Sequence, residues 1–269
     1  MMSARFLTVV LERAFNMRDG FGREIDYMRI SVIDSCNLNC YYCNPCDNNE
    51  HCHALNILSV KEVLCIVRAA TRLGIKHFRL TGGEPLLHPQ LDEMVLQIKK
   101  IPGVSSVSLT TNAVLLVQHA KWLKEAGIDS INVSLDTIEA SEYERITKKP
   151  LLEEVKHGIN AAIECGIRVK INVVLTPQTD VVALTRYVAK KGTDIRFIEM
   201  MPVGEGHTNG VEPYKKVIGT LSKLYGEPCR INTEKTKEIN SGNDKRKIPD
   251  NGPAEYYIFA ELGIRVGLI

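Results

Sequence analysis

Three cysteines fall within eight residues, in the stretch Asp34-Ser35-Cys36-Asn37-Leu38-Asn39-Cys40-Tyr41-Tyr42-Cys43, directly behind the β-like run Arg29-Ile30-Ser31-Val32. Three thiols are one ligand short of a four-coordinate metal site. Their gaps of three and two residues, with an aromatic just before the last Cys, let one loop wrap an iron–sulfur cluster and leave one iron open to a small-molecule ligand. A zinc knuckle is the competing reading. Cys43-Asn44-Pro45-Cys46 adds a second C-x2-C pair, and His51, Cys52 and His53 follow as further ligands.

Of the eight cysteines, Cys36, Cys40, Cys43, Cys46 and Cys52 crowd into this one loop, while Cys65, Cys165 and Cys229 stand alone. Such clustering in a large chain fits a metal centre in a reducing compartment better than a disulfide framework. Cys46 and Cys52 are read as free thiols or ligands of an auxiliary metal, and Cys65 and Cys165, on apolar helical stretches, as small buried hydrophobes. With 269 residues, 44% of them hydrophobic, the chain can bury the core of one large α/β domain. A net charge of +2 is too weak to point to nucleic acid or a membrane surface, so affinity for an anion must come from locally placed Arg and Lys. No apolar run approaches the ~18 residues that span a bilayer. Met1 to Val10 is followed by Glu12 and Arg13 without a small-residue cleavage pattern, so a cytoplasmic protein is expected.

Residues 1–27 read as a helical lead-in that loops through Asp19-Gly20-Phe21-Gly22-Arg23. From there β-type runs recur at 28–33, 77–81, 104–110, 129–135, 168–175 and 194–199, each followed by a helical pattern. Ser59 with Glu62 makes a capping box for a helix starting at Val60, and Gly74, Gly127 and Gly166 stop three helices. Strands alternating with helices give a parallel sheet; the period alone leaves a doubly wound sheet and an open barrel both standing. Residues 28–202 form this unit. Beyond it, 203–269 reads as a helix at about 211–224, a polar linker from Glu227 to Asp250, and a hairpin of 254–259 with 264–269. In a parallel barrel the working face is at the C-terminal strand ends. The Cys loop, Gly82-Gly83-Glu84-Pro85, Thr110-Thr111-Asn112, Ser134-Leu135-Asp136 and Glu199-Met200-Met201 all fall there.

The C-x3-C-x2-C spacing with Tyr42 before the third Cys resembles the radical S-adenosylmethionine (SAM) signature. The ordered set Arg29-Ile30-Ser31-Val32, Arg79-Leu80-Thr81-Gly82-Gly83-Glu84-Pro85-Leu86, Thr110-Thr111-Asn112, Asn132-Val133-Ser134-Leu135-Asp136 and Arg196-Phe197-Ile198-Glu199-Met200-Met201-Pro202 is similar to the GTP 3′,8-cyclases of molybdenum-cofactor biosynthesis. This resemblance implies an α/β fold, a partial (β/α)6 TIM-type barrel of parallel strands with a short C-terminal extension. It implies a 4Fe-4S cluster on Cys36, Cys40 and Cys43, SAM held by Tyr42, Gly83, Ser134 and Met201, and GTP held by Arg29, Arg79, Thr110 and Lys170. The implied reaction uses a SAM-derived radical to take hydrogen from C3′ of GTP, after which that carbon bonds to C8 of guanine.

Arg29, Arg79 and Lys170 are also placed by their strands to point into the barrel mouth, where a buried cation needs an anion. Arg196 faces the same pocket, Asn112 and Asp136 organise it by hydrogen bonding, and His77 stands where many relatives carry Lys. An electron donor is expected as a partner and a homodimer is compatible with the sequence; neither nucleic acid nor membrane is expected. Family members continue past Gly267-Leu268-Ile269 into a segment with three further cysteines and a second cluster, so the chain is expected to be a fragment or a truncated form that keeps SAM cleavage. Two alternatives remain: another radical SAM activity on a peptide or tetrapyrrole, and a zinc-binding module built on Cys36 to Cys52.

Overall fold

The computed structural model describes residues 17–43, 56–200, 214–231 and 254–269. Six parallel strands lie side by side in chain order: β1 (Tyr27–Ser31), β2 (His77–Thr81), β3 (Ser106–Thr111), β4 (Ser130–Ser134), β5 (Arg168–Leu175) and β6 (Asp194–Glu199). Between them run α1 (Val60–Arg72), α2 (Leu91–Lys99), α3 (Leu116–Ala126), the pair α4 (Ala140–Thr147) and α5 (Leu152–Glu164), and α6 (Val181–Lys190). The expected partial (β/α)6 barrel is therefore present, and it is open, with β1 at one edge of the sheet.

The helices form for local reasons. Ser59 caps α1 through a complete capping box with Glu62, and Val60, Val63, Val67 and Ala70 put one buried face on the sheet. Gly74, at φ 94°, ends that helix, and Gly127 and Gly166, at φ 90° and 67°, end α3 and α5 in the left-handed conformation that favours glycine. Cys65 corrects the sequence reading. It is exposed, because the helical period that buries Val63 and Val67 turns position 65 to solvent, whereas Cys165 is half-buried against the core.

Alternation along the strands decides what the barrel can hold. One strand face, carrying Ile30, Phe78, Leu80, Val107, Leu109, Ile131, Val133, Ile171, Val173, Ile195 and Phe197, is buried with the helices in a single apolar core. The opposite face looks into the barrel and is polar on every strand. Register aligns Arg29 with Arg79 and Arg79 with Ser108, and aligns Thr110 with Asn132 and Asn132 with Lys170. A TIM barrel usually fills its interior with branched apolar side chains. This one lines it with hydrogen-bonding and cationic groups, so the inner face is a polar lining rather than a second apolar core.

The C-terminal strands continue the same sheet. β7 (Cys229–Ile231) pairs antiparallel with β8 (Glu255–Ile258), which pairs antiparallel with β9 (Arg265–Leu268), and β9 lies parallel to β6. The expected hairpin is there, but its second strand extends the barrel edge. Within the stretch read as a linker, Cys229–Ile231 is a strand, because β8 presents an unpaired edge that these residues fill. Helix α7 (Tyr214–Tyr225) precedes it. Residues 1–16 of the expected lead-in, Cys46, Cys52, His51, His53 and Met201 lie outside the described residues. Among those described, no helix is long and apolar enough to cross a membrane.

Arg265 of β9 forms a buried ion pair with Asp194 of β6, whose carboxylate also accepts the Arg265 backbone N–H at 3.1 Å. Removing one partner strands a buried charge. Asp194→Ala is expected to lower unfolding free energy by about 3 kcal/mol in urea titrations, while Asp194→Leu combined with Arg265→Met recovers most of it. Equal losses in the single and double variants would show that the pair does not tie the extension to the barrel.

Candidate active site

The cysteine loop rests on a turn that only glycine can make room for. Gly83 N–H donates to Ile33 O at 2.7 Å and Glu84 N–H donates to Ser35 O at 2.8 Å, which lays the backbone leaving β1 across the end of β2. A Cβ on Gly82 would lie 2.3 Å from Ile33 O, and one on Gly83 would lie 2.2 Å from Ser35 O and 2.4 Å from Asp34 O. No side chain fits at either position.

Glu84, which the sequence places at this strand end without giving its side chain a role, locks this contact. It is only 1% exposed. Its carboxylate accepts from Thr111 Oγ1 and Asn112 N–H, both at 2.7 Å, and from Leu86 N–H at 3.0 Å, joining the ends of β2 and β3. Burial pushes its pKa up, and those three donors oppose the shift. Asn112 then reaches back to the loop, donating to Asn37 Oδ1 at 2.7 Å and lying 3.8 Å from Cys36 Sγ. Beyond it Ala113 adopts φ 65°, held by its N–H donating to Thr111 Oγ1 at 2.9 Å.

The far side of the loop is clamped by α4. Asn39 N–H donates to Thr147 O at 3.0 Å and Tyr41 N–H to Ile146 O at 3.1 Å, satisfying carbonyls at the helix end. The Arg145 guanidinium lies 5.4 Å from the centre of the Tyr41 ring. Tyr42 points inward and donates to Asp136 Oδ2 at 2.5 Å, while Asp136 Oδ1 accepts Val174 N–H at 2.7 Å. Burial, then the charge of Asp136, drives the Tyr42 phenol far above its ordinary pKa, so it stays protonated and donates. Burial likewise raises Asp136.

Cys36, Cys40 and Cys43 all lie on this one anchored loop, although among the described residues no three His, Cys, Asp or Glu side chains already converge as a metal-binding group. Burial, then Asp136, then the neighbouring thiols push Cys40 up to about 12. Cys36 is raised by burial, by Glu84 and by Cys43, and opposed by the Leu38 N–H that approaches its sulfur at 3.5 Å. Three soft donors on one anchored loop, beside two buried carboxylates, fit an iron–sulfur cluster in their chemistry. Tyr42, Gly83 and Ser134, the expected SAM contacts, border this rim, with Ser134 exposed at the end of β4; Met201 lies outside the described residues.

Below the rim the lumen collects cations. Arg29 donates to Tyr27 Oη at 3.2 Å, and the neighbouring Arg79 donates to Ser108 Oγ at 3.0 Å and sits 5.5 Å from the Tyr27 ring centre. Lys170 and Arg196 converge across from them on Tyr256. Thr110 is half-exposed on the same face. His77 is held by Ser106 Oγ at 2.8 Å and approaches Asp26 at 3.8 Å. Asn132 Nδ2 and Asn172 Oδ1 face the lumen, buried without a hydrogen-bond partner. Orphaned amide atoms between cations are what a polar anionic ligand would satisfy. Tyr27, Tyr256 and Asn172 escaped the sequence reading, because only strand register places them on this face.

The model of the radical SAM superfamily matches residues 30–184. A GTP 3′,8-cyclase of Clostridium perfringens strain SM101 is 36% identical over 256 residues, covering 94% of this chain and 75% of that protein. One of Listeria monocytogenes strain EGD-e is 40% identical over 245 residues, covering 90% and 70%. Among solved structures, Streptococcus suis SuiB bound to S-adenosylmethionine aligns over 74% of this chain and 47% of its own, with a TM-score of 0.61 at 17% identity. Native anSMEcpe with AdoMet and a peptide aligns over 74% and 59%, with a TM-score of 0.58 at 20% identity. These two share the fold.

Gly83→Ala drives a methyl into two carbonyl oxygens. After anaerobic reconstitution this variant is expected to hold less than about a tenth of the wild-type iron with an unchanged far-ultraviolet spectrum, and Cys36→Ser, Cys40→Ser and Cys43→Ser are expected to lose the cluster too. Cys65→Ser keeps full iron. Normal iron in Gly83→Ala would refute the seating of the loop on the turn.

Proposed function

The chain belongs to the GTP 3′,8-cyclase family of the radical SAM superfamily, and from this membership we propose that rim and lumen form one active site converting GTP to 3′,8-cyclo-7,8-dihydro-GTP, the first step of molybdenum-cofactor biosynthesis. The observation that carries this reading is the meeting of a three-thiol loop with a lumen whose walls present Arg29, Arg79, Lys170 and Arg196. A cation-lined cavity fits a triphosphate and has no use for an uncharged peptide or tetrapyrrole edge.

The roles divide by depth. Cys36, Cys40 and Cys43 would hold the 4Fe-4S cluster, and Tyr42, Gly83, Ser134 and Met201 would contact SAM. Cluster and SAM supply, when bound, a carbon-centred radical able to take a hydrogen atom from a ribose. Arg29, Arg79, Thr110, Lys170 and Arg196 take the triphosphate, which turns the sugar toward the rim. Asn132 and Asn172 give the nucleoside an amide donor and acceptor. No side chain needs to act as acid or base. The protein's task is to fix the C3′ hydrogen near the rim and keep water away, which the continuous apolar shell behind the lumen serves.

The 28–202 barrel carries this chemistry and the described strands of 203–269 extend its wall. The enzyme needs an electron donor, because the cluster must be reduced at turnover, and we place it in the cytoplasm, where the thiols stay reduced. Neither nucleic acid nor a membrane is needed as a partner.

Anaerobically reconstituted protein, reduced with dithionite and supplied with SAM and GTP, is expected to form 5′-deoxyadenosine and consume GTP, followed by chromatography. Arg79→Ala or Lys170→Ala should raise KM for GTP about ten-fold or more, the loss of one charged contact to phosphate. If SAM is cleaved while GTP is never consumed, the cyclase assignment of this chain fails and only the radical SAM assignment stands.

A further inference from the structure

Two buried phenols belong to the seat of the cysteine loop, and they differ in what they bond. Tyr42 donates to Asp136. Tyr143, on α4, is 3% exposed and packs its ring in the apolar core, and its buried hydroxyl has no hydrogen-bond partner among the described residues. A phenol taken out of water without a partner is costly, and where one persists it points to a group that would satisfy it.

Helix α4 sets where that hydroxyl can act. Ile146 and Thr147 follow Tyr143 by three and four residues, on the same side of the helix. Their carbonyls take the N–H groups of Tyr41 at 3.1 Å and Asn39 at 3.0 Å, so Cys40 is pinned on both sides to the turn next to Tyr143. Neighbouring polar groups already have bonds of their own. Thr147 Oγ1 donates to Tyr143 O at 2.8 Å and accepts the Lys149 N–H at 3.3 Å, and the Asp136 carboxylate accepts Tyr42 and the Val174 N–H. Burial, then the charge of Cys40, pushes the Tyr143 phenol above its ordinary pKa; the Thr147 hydroxyl opposes the rise, and Asp136 and Glu154 add less than Cys40 does. The phenol therefore keeps its proton, and Cys40 is the acceptor that bears on it most.

We propose that Tyr143 is a positioning residue for the iron–sulfur cluster, acting through Cys40: its buried hydroxyl donates to the Cys40 sulfur when that sulfur is bound to iron, and the contact makes the cluster easier to reduce. This rests on the cluster reading of Cys36, Cys40 and Cys43 given above. A thiol sulfur is a weak acceptor, whereas a thiolate on iron carries charge and accepts well. Reduction adds one electron, supplied by dithionite or by the enzyme's own donor, and makes the sulfurs more negative. A hydrogen bond to sulfur is then stronger in the reduced state than in the oxidised one, so the donor raises the reduction potential. On the other flank of the loop the Leu38 N–H approaches Cys36 Sγ at 3.5 Å. Tyr143 gives Cys40, from the helix, what the backbone gives Cys36.

The test is a redox titration of the anaerobically reconstituted chain without SAM, followed by electron paramagnetic resonance. Proton electron–nuclear double resonance of the reduced cluster in water and in deuterium oxide accompanies it, with iron content and thermal melting as checks on assembly. Tyr143→Phe keeps the ring in the core and removes the donor. It is expected to hold wild-type iron and melt as wild type, to shift the reduction equilibrium about ten-fold toward the oxidised cluster, about 59 mV lower for one electron, and to lose one exchangeable proton coupling. Tyr187→Phe removes another buried hydroxyl without a partner, on α6, and is expected to leave potential and couplings unchanged. If wild-type protein forms no 4Fe-4S cluster, the cluster reading falls and this proposal with it. If the cluster forms but Tyr143→Phe fails to lower the potential, keeps every exchangeable coupling, or lowers the potential only together with iron content and melting temperature, the cluster reading stands and the role of Tyr143 is overturned.

Discussion

The arrangement hangs on one close approach of two backbones. The carbonyls of Ile33, Asp34 and Ser35 lie where the Cβ atoms of Gly82 and Gly83 would be, and two hydrogen bonds fasten the pair. Everything above the barrel follows from it. The loop that carries Cys36, Cys40 and Cys43 starts from this contact, Glu84 extends it to the end of β3, and α4 closes the other side through the carbonyls of Ile146 and Thr147. A loop of three thiols without such anchors would sample many spacings and bind a metal only at the entropic cost of ordering itself. Here that ordering is supplied by the fold.

The barrel beneath spends its hydrophobic effect on one strand face only. Apolar side chains of the sheet and helices merge in one core, and the inner face is left to Arg29, Arg79, Ser108, Asn132, Lys170 and Arg196. This division is possible because the sheet is open: the lumen need not be filled to be stable, since the outer layer already buries the apolar surface. The C-terminal strands widen the wall and carry Tyr256 into the cavity. A radical reaction gains from such a chamber, because a reactive carbon is held close to its target and away from solvent.

Much of this was legible in sequence because it is local. The strands announce themselves by alternation, Ser59 with Glu62 marks a helix start, and the glycines at 74, 127 and 166 mark ends. The thiol spacing of Cys36, Cys40 and Cys43 and the Gly82-Gly83 turn are also short-range patterns. What escaped is set by strand register. Tyr256 meets Lys170 and Arg196 only because β9 docks on β6 and Gly267 leaves a gap, and no local rule encodes that row. The role of Glu84, as distinct from its place in the motif, was not legible, because its three donors are set by how the ends of β2 and β3 meet. Cys65 was misplaced through treating a helix as apolar throughout, when the period alone decides which positions face the sheet.

The central claim is that the anchored loop presents a cluster with one iron open to SAM. Electron paramagnetic resonance on anaerobically reconstituted, dithionite-reduced protein, recorded with and without SAM and paired with metal analysis, tests it most directly. The account predicts the signal of a reduced 4Fe-4S cluster whose line shape changes on adding SAM and which is lost in Cys40→Ser. Stoichiometric zinc with no iron signal, or an iron signal indifferent to SAM, would contradict it.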